Sequence, residues 1–252
     1  MHNILAAINK TKKYAANYGQ ILDSKQLYFR LISPKIFEYK EVKKYGINSN
    51  KNREWLRKYK LAKNLVVKHL SKMDEILMVG ITGSVAAEKS LKNEDIDLLI
   101  ITRADELWWT RLYLRLYVWF LRIPHRKYNE AEKENEFCFN MWLDENNLEI
   151  PKEKRNLKNA MDLVMMKVIY DKNNCYQRFL LENNWAAKYV ATGYKERIKG
   201  KTRKILPKTK IGKKWLNTIL FWIQLKYMNR NRSPKFVEKG RAFFHKEKIS
   251  VK

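Results

Sequence analysis

Turn-forming residues are scarce in this chain, with eight glycines and five prolines among 252 residues. That leaves little room for turn-rich β architecture and predicts that helices dominate. Cysteine is scarcer still. Cys138 and Cys175 form no CxxC pair, which argues against a zinc ribbon or a disulfide framework. The four histidines, His2, His69, His125 and His245, are too scattered for a His-based metal site. Acidic residues are in deficit: 26 Asp+Glu against 53 Lys+Arg leave a net charge of +27. Apolar residues nevertheless reach 45% and aromatics 13%, more than a disordered polycation carries, so the chain is expected to fold, as one or two domains.

No export signal is visible either. In MHNILAAINKTKK the basic residues follow a short apolar stretch, the reverse of a secretory leader, and a cytoplasmic protein is expected. The most apolar window, Leu107 to Ile123, contains Arg111, Arg115 and Arg122. A charge near the centre of a membrane helix costs about 2.5–3.5 kcal/mol, so a membrane span is not expected. At 100° per residue the three arginines share one narrow stripe, which predicts a largely buried helix with one edge facing water or a ligand.

Residues 1–50 read as short helices broken near Gly19, Pro34 and Gly46. From Asn52 to Glu75 the spacing of Trp55, Tyr59, Leu65, Val66 and Leu70 predicts an amphipathic helix. Two apolar runs follow, Ile76–Thr82 and Ile96–Thr102, too short for typical helices and rich in β-branched residues. They read as buried strands, with a Gly-Ser turn and a short helix between them. Phe137–Leu143 is a third strand candidate. After Pro151 the pattern predicts helices over Asn159–Tyr170, Tyr176–Val190 and Lys214–Met228. The fold class expected is α+β: a small mixed sheet as core, over 51–150, with helices on its face and helical segments over 1–50 and 151–252.

The chemistry concentrates in Thr82-Gly83-Ser84 and, ten residues later, Asp95-Ile96-Asp97. Alternation along a strand sends Asp95 and Asp97 to one side. Paired carboxylates suit Mg²⁺, which is commonly held by one or two protein carboxylates with waters and substrate phosphates. A Gly-Ser turn opening a helix offers free N–H groups and a hydroxyl to a phosphate. The two halves together describe a metal–triphosphate site.

In this arrangement ITGSVAAEKSLKNEDIDLLIIT resembles the nucleotidyltransferase superfamily with the DNA polymerase β-like fold. The resemblance implies that Asp95 and Asp97 hold Mg²⁺ or Mn²⁺ and that Gly83 and Ser84 engage the phosphates of a nucleoside triphosphate, ATP foremost. A nucleoside monophosphate then passes to an acceptor with loss of pyrophosphate. Outside the core, Leu107–Arg111, FCFNMWLDENNLEIP, NLKNAMDLVMMK and RAFFH resemble uncharacterised bacterial members, in which a winged-helix-like segment precedes the transferase core. Relatives carry a lysine at the place of Lys167, where it would neutralise triphosphate charge.

Departures from the pattern bear on activity. Glu88 and Glu94 stand where members often have Gly and Ser. The third carboxylate, expected on a later strand as metal ligand and general base, corresponds to Asn140, and an amide is no base near neutral pH. Asp144 has the same strand parity but lies about 13 Å further along at 3.3 Å per residue. Cys138 reads as a small buried hydrophobe. The leading expectation is therefore a nucleotidyltransferase with Asp95, Asp97 and Asn140 at its catalytic centre. The alternative is a catalytically degenerate module that binds nucleotide or RNA. A third carboxylate from a later strand would favour the enzyme, and its absence the binder. Residues 195–252 hold 19 Lys+Arg and 3 acids, so RNA or another polyanion is the partner expected of the C-terminal region. Trp215, Phe221 and Trp222 there read as core residues before base-stacking ones.

Overall fold

In the computed structural model, which describes residues 4–47, 53–126, 133–199, 214–230 and 236–244, the two apolar runs become neighbouring antiparallel strands. These are β1 (Ile76–Ile81) and β2 (Ile96–Thr102), with Ile81 opposite Leu98. Every residue of β1 is buried. Both faces of the strand are covered, so its sequence runs continuously apolar instead of alternating. β3 (Phe137–Asp144) lies parallel to β2 on the other side. β4 (Lys167–Asp171) flanks β1, and a short hairpin of β5 (Phe236–Glu238) and β6 (Arg241–Phe243) extends the sheet beyond β3. The order is β4-β1-β2-β3-β6-β5, a six-stranded mixed sheet in an α+β fold.

Helices cover both faces. The N-terminal part holds α1 (Ile4–Ala16), α2 (Ser24–Phe29) and α3 (Tyr39–Val42), broken near Gly19, Pro34 and Gly46 as the sequence implies. Asp23 opens α2 with a capping box, accepting from Gln26 N at 2.9 Å while the Gln26 side chain returns a bond to the Asp23 N–H. α4 (Glu54–Lys68) follows, then the single turn α5 (Gly83–Ala86), α6 (Leu107–Phe120), α7 (Leu157–Met165), α8 (Cys175–Glu182), α9 (Ala187–Ile198) and α10 (Lys214–Arg230). One sheet face (Val79, Ile81, Leu98, Ile100, Trp142) packs against α4, α6 and α10. The other (Leu77, Leu99, Ile101, Leu143) packs against α7, α8 and α9.

Three expectations need correction. The segment 159–170 is not one helix. α7 stops at Met165, the chain turns extended at Met166 (φ −47°, ψ 133°), and Lys167–Asp171 pair with β1 as an edge strand. Val168, Ile169 and Tyr170 are β-favouring residues, and a free sheet edge outweighed the helical spacing of the apolar residues before them. The segment 176–190 is not one helix either. Buried Asn183 interrupts it, because its amide donates to the Leu148 and Phe179 carbonyls and accepts from Ile150 N, all at 2.8 Å.

The arginine stripe of α6 is the third. Arg111 is 5% exposed, hydrogen-bonded to Gln224 Oε1 on α10 and stacked against the Phe244 ring, while the flank carrying Trp119 and Phe120 faces solvent. α10 supplies the polar partner that turns the stripe inward. Burial pulls the pKa of Arg115 below the ordinary arginine value. Only Arg122 is exposed.

Candidate functional site

The site forms where β1 ends, β2 begins and β3 runs beside them. Thr82 N donates to Asp97 O at 3.0 Å, which extends the β1–β2 pairing by one step and sets the Gly83 turn against β2. Gly83 has φ +64°, the left-handed region open to glycine. A Cβ at this position would collide with Asp97 Oδ2 and sit 3.2 Å from its Cγ, so the absent side chain makes the cradle in which the Asp97 carboxylate lies. Ser84 is half-buried on the same turn. With four residues, α5 has almost no dipole, and any anion there would be held by individual N–H groups and the hydroxyl.

Asp95 and Asp97 converge, and the third member of the group is Cys138. Ligand atoms of Asp95, Asp97 and Cys138 all lie within 4.8 Å of one another, an arrangement that could hold a metal ion. Cys138 pairs with Asp97 across the parallel β2–β3 ladder and so shares its face. The register then slips: Phe139 opposes Leu98 but Met141 opposes Leu99, leaving Asn140 as the extra residue of a bulge. Buried Asn140 donates through Nδ2 to Asp97 Oδ1, while its Oδ1 makes no hydrogen bond among the described residues.

Electrostatics fit a cation site. Burial, and then the neighbouring Asp97 charge, hold the Asp95 carboxyl above the usual carboxylate range, against the pull of Arg126 at 2.9 Å. Burial, and then the same two carboxylates, push the Cys138 thiol up. Two acids clustered at this cost are what a divalent cation relieves. Carboxylate oxygens suit Mg²⁺ or Mn²⁺, and a thiol adds preference for a softer ion. Among the described residues no third carboxylate joins the cluster. Asp144 instead accepts from Asn146 N and Asn147 Nδ2 at 3.0 and 2.8 Å, capping the turn after β3.

Lys167 Nζ lies 2.7 Å from Glu88 Oε1 and 4.9 Å from the centre of the Trp55 ring. Burial works against the Glu88 charge, but hydrogen bonds from Lys167 and Gln26 outweigh it and hold its carboxyl below the usual range. Glu88 itself has φ +58°, a conformation glycine adopts freely and other residues rarely. The Lys167 pair helps to offset that strain. Lys167→Met is expected to cost about 1 kcal/mol and lower Tm by roughly 2–4 °C, measured by thermal unfolding. A larger loss in nucleotide affinity than in stability would give Lys167 a second task at the phosphates.

Four contributors escaped sequence reading. Arg126 follows the apolar window and pairs with Asp95 through the fold alone. Lys58, fully buried, donates to the Leu91 and Glu94 carbonyls and fixes the turn that delivers Asp95. Lys158 on α7 pairs with Asp162 at 3.2 Å and feels the Asp97 charge. Cys138 did carry a signal, because it has the strand parity of Asn140. Phe221 is core as expected, whereas Trp215 and Trp222 are exposed. No protein-family model, curated protein or solved structure matches the chain.

Proposed function

We propose that the protein is a metal-dependent nucleotidyltransferase that moves a nucleoside monophosphate from a nucleoside triphosphate, ATP foremost, to an acceptor with release of pyrophosphate. The observation that carries this reading is the convergence of Asp95 and Asp97 with the Gly83 turn folded directly against the Asp97 carboxylate. A divalent cation held by the two carboxylates would neutralise the triphosphate and polarise the α-phosphoryl group. Gly83 and Ser84 would orient the phosphates, and Lys158 or Lys167 would add positive charge. The acceptor oxygen forms the new bond to the α-phosphorus as the bond to the bridging oxygen breaks.

Among the described residues no third carboxylate joins the cluster, and this narrows the acceptor. Asn140 cannot take a proton, and the Cys138 thiol is held protonated by burial and two nearby acids. An acceptor whose attacking oxygen is already ionised, such as a phosphate, needs no base. Among the described residues Arg126 is the guanidinium paired with the carboxylates, at 2.9 Å from Asp95, so it offsets part of their charge where an anionic acceptor would approach. The C-terminal positive charge would attract such an acceptor, RNA among the polyanions. On the single criterion of a third acid the described residues favour the alternative, a degenerate module that only binds nucleotide or RNA, because no third carboxylate joins Asp95 and Asp97.

Incubation with each α-labelled nucleoside triphosphate, Mg²⁺ or Mn²⁺, and fractionated cell extract tests the reading. Label in a phosphorylated acceptor is the expected result, and no labelled fraction with any nucleotide would leave only the binding module. Asn140→Asp is expected to tighten metal binding roughly tenfold, because it adds a third anionic ligand. Its pyrophosphate release should rise with hydroxyl acceptors and stay level with ionised ones. A slower rate with both would place the base elsewhere.

A further inference from the structure

α6 and α10 lie side by side and turn their polar groups towards each other. Trp108 N donates to Asn217 Oδ1 at 2.7 Å, Gln224 Nε2 to Trp108 O at 2.8 Å, and Arg111 to Gln224. Large hydrophobes remain outside, beside Lys214 and Lys226. Trp119 and Phe120 on α6, and Trp215, Trp222, Ile223 and Tyr227 on α10, are each 58–78% exposed. α10 thus buries Asn217 and Gln224 together with Phe221 and Met228 on its inner side, and carries further large hydrophobes into water on its outer side. Scattered surface hydrophobes are ordinary, but six large ones on two adjoining helices mark an interaction surface.

We propose that this paired-helix face seats the protein on an anionic membrane surface. Charge selects the partner. Between Glu196 and Glu238 the sequence has thirteen Lys+Arg and no acid, and Lys214 and Lys226 are exposed on α10 itself. A lipid bilayer with anionic headgroups offers an apolar layer for Ile223 and Phe120, an interfacial zone that tryptophan and tyrosine prefer, and a negative field. A second copy would set +27 against +27. RNA would answer the charge but leave the aliphatic and phenyl groups wet. No helix among the described residues is long and apolar enough to cross a membrane, so binding is peripheral. This inference stands apart from the transfer reading and needs no nucleotide.

Flotation of the full chain with vesicles of phosphatidylcholine, alone or mixed with phosphatidylglycerol, tests it, with poly(U) in a parallel binding assay. The wild type should float with the mixed vesicles and scarcely with phosphatidylcholine. Trp119→Ser with Trp222→Ser should weaken vesicle binding at least roughly tenfold while leaving poly(U) binding unchanged. Circular dichroism checks the fold, and Phe120→Ser with Ile223→Ser provides an independent pair for the same loss. The proposal fails if the wild type does not bind mixed vesicles, or if both variant pairs bind them as the wild type does. It fails equally if the tryptophan variant loses poly(U) binding while the wild type ignores vesicles, or if these residues hold a dimer together instead.

Discussion

Asp97→Asn is expected to leave the fold intact and weaken Mg²⁺- or Mn²⁺-dependent nucleotide binding at least a hundredfold, about 2.8 kcal/mol. Asp97 sits at the meeting point of the site: the Gly83 cradle, the Asn140 amide and the Asp95 and Cys138 ligand atoms all approach it. An asparagine can still accept the Asn140 hydrogen bond, so the loss falls on the cation. The metal-free protein should respond in the opposite direction. Asp95 has its pKa raised by burial and by the Asp97 charge. A carboxyl raised in the folded state supports stability at low pH and withdraws that support as pH climbs through the raised value. Removing the Asp97 charge lowers the folded value towards normal, so Asp97→Asn should be the more thermostable protein above that window, by roughly 2–4 °C if about 1 kcal/mol is relieved. Calorimetric titration with metal and nucleotide, and thermal unfolding across pH without metal, read the two effects. Unchanged affinity would show that the cation is bound elsewhere.

Gly83→Val should be more damaging still. A β-branched residue at φ +64° is strained by roughly 1–3 kcal/mol, and here the added Cβ meets the Asp97 carboxylate. Space can be made only by moving the side chain the site depends on. Triphosphate binding in the presence of metal should fall below detection, while a nucleoside without phosphates, measured by equilibrium dialysis, should lose little. Equal losses for the two would remove the phosphates from the Gly83 turn.

How far the sequence carried these conclusions depended on whether a residue's neighbours were local. β1, β2 and α4 were readable because each announces itself over a few consecutive residues, as an apolar run or a helical spacing. Lys167 lies on a strand and not on the expected helix because Met165-Met166-Lys167-Val168 satisfies helix and strand alike, and the deciding partner, β1, lies over 80 residues away. The arginine stripe of α6 points by its spacing to an edge facing water or a ligand, since nothing near it in the chain shows that α10 brings Gln224 to meet Arg111. Asp95 and Asp97 came out of strand alternation alone. Cys138 did not, since the bulge at Asn140 and the parallel register that sets the thiol beside Asp97 are properties of two strands together.

The N-terminal helices do more than precede the sheet. Gln20 Nε2 and Arg30 Nη2 both donate to Ala87 O, at 2.8 and 2.9 Å, and Gln26 reaches Glu88 at 3.0 Å. Residues 20–30 are in effect stitched to the two residues immediately after α5, four and five positions from Gly83. Removing residues 1–50, which the sequence pattern separates from the core, would strip the Ala87 carbonyl of both side-chain donors and leave Glu88 with one partner fewer. The Gly83 turn is therefore braced from two stretches far apart in sequence, the sheet and residues 20–30, and a core beginning at residue 51 would lack the second of them.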